Sequence, residues 1–205
     1  MEPYPDASPP AHRRRDFRRN GIVQVREYAC GASVGDPPQE DQFEHTSIAI
    51  VRSGVFAVRA SRNSELLSTG FLLLGNAGQH YEVSHDHAGG DSCLVFNFHE
   101  TVIEELAASM RCGAERRPFA INVLAPRPRA DAIMHLVEER LRSGGPAIGF
   151  EELGLAIAEY ALAQAGAGTS RPTPGAENPR ARQQVLAAIA RIEDRAHEAL
   201  ELGGL

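Results

Sequence analysis

No apolar run in the sequence approaches the ~20 residues that a membrane-spanning helix needs, which excludes a helical membrane protein and leaves no expected membrane partner. Cysteine is scarce: Cys30, Cys93 and Cys112 are an odd number without a Cys-x-x-Cys pair, which argues against a disulfide framework and against zinc-finger spacing. The N-terminus lacks the apolar stretch of a secretory signal, so a cytoplasmic chain with free thiols is expected. An excess of basic charge is also missing. The formal charge is −6, whereas a domain that grips nucleic acid on its own carries clustered positive charge. Phosphate-cradling Walker loops and dinucleotide fingerprints are absent as well.

What is present suffices for one substantial core: 205 residues, 42% of them hydrophobic. Residues 1–20 hold little to bury and carry His12-Arg-Arg-Arg-Asp-Phe-Arg-Arg19; they read as a mobile basic arm. From residue 21 to residue 99 the pattern is strand-like, with runs at 22–28, 46–51, 55–58, 71–74, 81–84 and 94–98. Turn residues at Arg52-Ser-Gly54, around Arg62-Asn63, at Gly75 to Gly78 and at Asp86 to Asp91 suggest a meander whose last three strands are consecutive antiparallel neighbours. Ile48, Ile50, Phe56, Val58, Leu72 and Leu74 recur at period two, so a closed or nearly closed antiparallel barrel is the economical way to bury them.

Beyond Phe98 the period becomes helical. Thr101 and Glu104 suggest a capping box ahead of Val102, Ile103, Leu106, Ala107 and Met110, with Gly113 as the stop. A second amphipathic stripe is Ile133, Met134, Val137 and Leu141, ending at Gly144-Gly145, and a third runs from about Phe150 to Ala165. The segment 100–165 serves either as cover for the barrel or as a dimer surface. Residues 166–179 are a linker by composition. Residues 180–205 carry one more helical stripe, which cannot bury its own face in isolation and reads as the start of a further domain.

The strand phrases Glu44-His-Thr-Ser-Ile-Ala-Ile-Val-Arg-Ser-Gly54-Val-Phe, Gly70-Phe-Leu-Leu-Leu-Gly-Asn76-Ala-Gly78-Gln-His-Tyr81 and His85 through Phe98 resemble, in this order, the N-terminal sensor half of AraC-type transcription regulators. The tail from Arg182 resembles the first helix of that family's DNA-binding domain. The resemblance spans about residues 21–165. It implies an α+β chain: a cupin-like antiparallel β-barrel followed by amphipathic helices, non-catalytic, binding an unidentified small-molecule effector and forming a homodimer. DNA would be bound only through a C-terminal helix-turn-helix domain beyond Leu205.

The usual cupin metal motif does not fit. With Gly54 closing the first half of that motif, its glutamate position falls on Ser47 and its histidine positions fall between Glu40 and Phe43. In the second half Asn76 replaces proline and Tyr81 occupies the histidine position; His80 is one residue off, which in a strand turns it to the opposite face. No cofactor is therefore expected. The alternative is an atypical metal site from His85, His87 and Cys93, which would make the chain a metal-dependent enzyme. A nucleophilic Cys93 with His85 as base lacks a third member, and a buried cysteine is commonly plain packing. For an effector pocket, alternation along the strands nominates Ile48, Ile50, Phe56, Tyr81 and Val83 as lining, with His45, Arg52 and His80 as polar anchors. A barrel filled by its own side chains is the competing expectation.

Overall fold

In the computed structural model, residues 12–18, 21–33, 35–60, 64–85, 90–110, 117–120, 122–143 and 149–166 are described, together with 184, 187 and 188. The chain divides into two units, 1–171 and 172–205. In the second unit Gln184, Ala187 and Ala188 are helical; the rest of the helix expected over 180–205 lies outside the described residues, as does most of the expected linker.

In the first unit, strands β1 (His12–Arg18), β2 (Val23–Cys30), β3 (Gln39–Gln42), β4 (Thr46–Gly54), β5 (Phe56–Arg59), β6 (Glu65–Leu67), β7 (Leu72–Gly75), β8 (His80–Ser84) and β9 (Asp91–Phe98) precede helix α1 (Glu100–Ser109). Strand β10 (Val123–Leu124) and helices α2 (Pro128–Ser143) and α3 (Gly149–Gly166) complete it. The fold class is α+β with antiparallel pairing throughout, as expected. The strands sort into a six-stranded sheet, β1-β2-β9-β4-β7-β10, and a four-stranded sheet, β3-β8-β5-β6. This corrects the meander. β7, β8 and β9 alternate between sheets, and Gly54 is a corner where the chain changes sheet. Its φ of +82° favours glycine, and a Cβ there would lie 2.2 Å from the carbonyl oxygen of Gly90.

The large sheet is apolar on both faces. One set of alternating residues, including Val23, Val25, Ile48, Ile50, Leu72, Leu74, Leu94, Phe96 and Phe98, packs against the three helices. The other set, with Ala49, Val51, Leu73 and Cys93, meets Phe56, Val58 and Leu67 from the small sheet. The helical stripes are thus largely consumed within the chain: Ile133 and Val137 are buried, whereas Leu136 is 51% exposed. Burying each large side chain contributes roughly 1.5–3 kcal/mol.

Two local expectations need correction. Residues 12–18, expected within a mobile arm, pair in antiparallel register with β2 from His12↔Cys30 to Arg18↔Val25. The N-cap of α1 is His99, without a side-chain cap; Thr101 lies inside the helix and its Oγ1 is 2.9 Å from His99 Nδ1. The capping box therefore does not form.

Asn76, which stands where the cupin motif has proline, is 4% exposed. Its Nδ2 donates to the Phe119 carbonyl at 2.9 Å and its Oδ1 accepts from the Phe119 amide at 3.0 Å. A proline there would supply neither bond, so this departure from the motif is what docks the segment leading to β10. Asn76→Ala would strand two buried backbone groups, each costing about 1–3 kcal/mol. We expect a loss of roughly 2–4 kcal/mol in urea unfolding; a variant as stable as the parent would show that the pair contributes nothing.

Candidate functional site

Between the two sheets lies a cavity of about 370 Å³. Its size falls within the ~300–1,000 Å³ range of small-molecule pockets. The walls follow strand parity. From the large sheet come Arg14 on β1, Arg26, Tyr28 and Cys30 on β2, Asp91, Cys93, Val95 and Asn97 on β9, Ser47 and Ala49 on β4, and Leu73 on β7. Tyr81 and Val83 on β8 and Phe56 on β5 come from the small sheet, with Asp41, Phe43 and His45 nearby. The cross-strand pairs Arg26↔Val95, Tyr28↔Cys93 and Cys30↔Asp91 place these side chains in rows on one face.

Of the residues nominated from sequence, the structure brings His45, Phe56, Tyr81 and Val83 to this cavity. It does not bring Ile48, Ile50, Arg52 or His80. Ile48 and Ile50 point the other way and are buried beneath the helices. Arg52 stands on the helix side, at an irregularity in β4 pairing between Val51 and Ser53. Its Nη2 donates to Glu138 Oε2 of α2 at 2.9 Å and its Nη1 donates to Glu27 of β2. His80 is exposed, with Nε2 3.3 Å from Gln42 Nε2. The interior of β4 is lined by Ser47 and Ala49 because the bulky alternate positions are needed by the helices. Arg26, Tyr28, Asp41 and Asp91 were missed. The signal available for the β9 residues was the small or polar character of positions 91, 93 and 97 between the bulky Leu94, Phe96 and Phe98.

The aromatic wall is fixed by stacking. Phe43 lies on Tyr81 with ring centroids 4.3 Å apart. Its other neighbour is Gly75, where a Cβ would lie 2.2 Å from the Phe43 ring, so glycine is required for this approach. The Tyr81 hydroxyl donates to Asp41 Oδ2 at 3.1 Å. Burial, with Asp41 beside it, raises the Tyr81 pKa. On the basic wall, Arg26 Nη2 donates to Gln24 Oε1 at 3.3 Å. Its Nε, 3.4 Å from Asp16 Oδ1, is buried and makes no hydrogen bond.

At one end of the cavity His85 Nε2 is hydrogen-bonded to Asp91 Oδ2 at 2.7 Å, and the Cys93 thiol donates to Asp91 Oδ1 at 3.6 Å. Burial, reinforced by Asp91, holds Cys93 well above the ordinary thiol range, so it stays protonated and poorly nucleophilic. His85 and Cys93 thus meet through Asp91 rather than face each other across a hairpin, since β8 and β9 belong to different sheets. His87 lies outside the described residues.

No protein-family model matches the sequence, and no curated protein matches it significantly. Among solved structures the chain is similar to a cupin superfamily protein from Desulfitobacterium hafniense, with 11% identity over 46% of this chain and 84% of that one, at a TM-score of 0.37. It is also similar to the AraC-like transcriptional activator CuxR, with 15% identity over 85% of this chain and 62% of that one, at a TM-score of 0.48. The EutQ protein of Clostridium difficile matches at 10% identity over 42% of this chain and 67% of that one, at a TM-score of 0.35. These are distant likenesses, and no activity passes from them to this chain. Among the described residues no helix is long and apolar enough to cross a membrane.

Because Tyr81 holds its proton more tightly folded than unfolded, the stability this supplies is complete below the ordinary tyrosine value of 10.0 and is lost as pH rises above it. Unfolding free energy should therefore begin to fall near pH 10 and keep falling as pH rises further, and Tyr81→Phe should flatten that fall. At pH 7 the same substitution should cost only about 1 kcal/mol, one partly exposed hydrogen bond. Parallel pH profiles for parent and variant would refute the assignment.

Proposed function

We propose that the chain is the non-catalytic effector-sensing and dimerisation part of an AraC-type regulator, with DNA bound only through a helix-turn-helix domain. The observation that carries this reading is the cavity between the sheets. It is open to a small molecule and walled by stacked aromatics on one side and by arginines on the other, and Ser47 and Tyr81 stand where the usual cupin motif has metal ligands. The order of the three strand phrases supports the family assignment.

The cavity suits a compact ligand with an apolar or aromatic body and a hydrogen-bond acceptor or anionic group. Tyr28, Phe56 and Tyr81 meet the body, and Arg14 and Arg26 meet the acceptor. Binding acts by shifting how two attached DNA-binding domains are held, because a ligand moves an equilibrium only as far as its affinity for the two states differs. Two copies meet through the helical layer, where Leu136 on α2 is a large apolar side chain left exposed.

A thermal-shift screen of small aromatic and aliphatic carboxylates should yield a ligand that raises the melting temperature in a concentration-dependent way, by mass action. Arg26→Gln should weaken that ligand, and Ala49→Leu, which fills the cavity, should abolish its effect. A screen without hits, or a hit indifferent to both substitutions, defeats the sensor reading. Sedimentation equilibrium should find a dimer that Leu136→Glu weakens at least about tenfold, equivalent to about 1.4 kcal/mol; a parent chain that is monomeric at high concentration defeats the dimer.

A further inference from the structure

The end of the cavity holds a donor set that neither the sensor reading nor the usual cupin motif uses. Cys30 ends β2, His85 follows β8, and Asp91 opens β9. The Sγ of Cys30, a ring nitrogen of His85 and a carboxylate oxygen of Asp91 all lie within 4.8 Å of one another. The side chains of His85 and Asp91 are only 6% and 10% exposed. We propose that these three residues form a site for a zinc-class divalent transition metal.

The donor chemistry is specific. A thiolate, an imidazole and a carboxylate are each known ligands of Zn²⁺, and a soft sulfur in the set disfavours Mg²⁺ and Ca²⁺, which take oxygen alone. Three protein ligands leave one coordination position of a tetrahedral ion unfilled. All three residues line the cavity, so that position falls to water or to a group entering it. Binding requires the Cys30 thiol to give its proton to solvent and the His85–Asp91 hydrogen bond to be exchanged for two bonds to the metal.

The backbone is built around this corner. Gly90 has φ +65°, and a Cβ there would lie 1.9 Å from the carbonyl oxygen of Cys30; the Gly54 position closes on Gly90 from the other side. The ends of β2, β4 and β9 of the large sheet are thus brought together at distances only glycine allows, and two of the three ligand-bearing residues, Cys30 and Asp91, sit at those ends. A bound ion would clip β2 and β9 of the large sheet to the end of β8 of the small one.

The test uses the full chain under reducing conditions, dialysed against a chelator and titrated with Co²⁺. One equivalent of cobalt should bind and give a near-ultraviolet thiolate-to-cobalt charge-transfer band that Zn²⁺ abolishes. Cys30→Ser should remove the band, and His85→Gln should weaken cobalt binding beyond the roughly 10–100-fold that loss of an outer-shell partner costs. Cys93→Ser, whose thiol is not among the three ligands, should keep it. No cobalt band in the parent overturns the proposal, as does a band that survives both Cys30→Ser and His85→Gln or vanishes only with Cys93→Ser. If Cys30→Ser does not fold, the parent and His85→Gln still decide. The outcome is independent of the sensor reading: a chain that binds carboxylates but no cobalt defeats the metal site alone, and one that takes cobalt but no small molecule defeats the sensor alone.

Discussion

The large sheet has no solvent face over its central strands, and the rest of the architecture follows from that. An antiparallel sheet commonly packs one face and wets the other. Here β4 and β9 are flanked by the helical layer on one side and the small sheet on the other, so both sets of alternating residues leave water. Phe96, Leu94 and Ile48 are fully buried under the helices, while Val51 and Cys93 are buried toward the second sheet. Without α1, α2 and α3 the first set would be exposed, and without the small sheet there would be no cavity. The three helices are therefore part of the same fold as the strands and are not an appendage to a finished barrel.

This double burial explains how far the sequence could be read. The positions of β2, β4, β5, β7, β8 and β9 and of the three helices are legible, because period two and period 3.6 are written plainly in Val23–Val25, Ile48–Ile50, Leu94–Phe98 and Ile133–Val137. The face was not legible. Apolar alternation says that residues 48 and 50 share a side, but with both sides apolar it does not say which side meets the helices, and the interior was assigned one step out of register. Tyr81, Val83 and Phe56 fall on the cavity side because, among the described residues, no helix packs on the small sheet and its buried face is the cavity face. The short strands β3, β6 and β10 were silent because they are two to four residues long and, for β3, almost wholly polar. β1 was hidden by its arginines, which pair with β2 through the backbone regardless of side-chain character.

The polar groups follow the same division. Arg52, at the irregular point of β4, reaches carboxylates on β2 and α2 and so ties sheet to helix. Asp91 and Cys93 on β9 form their contacts on the cavity side of the same sheet, and His85, at the end of β8 in the small sheet, meets them there. β9 therefore packs on both sides at once, with Phe96 and Phe98 toward the helices and Cys93 toward the small sheet.

The parity of residues along β4 and β9 also separates two kinds of evolutionary freedom. Helix-facing positions are large and tightly packed, so exchange there disturbs a core that tolerates little change in volume. Several cavity-facing positions, Ser47, Ala49 and Asn97 among them, are small or polar and bear less of the packing. Recognition in such a sheet can drift at alternate residues while the intervening ones keep the fold, so relatives that bind unrelated molecules would be expected to share every second residue of these strands and differ at the rest.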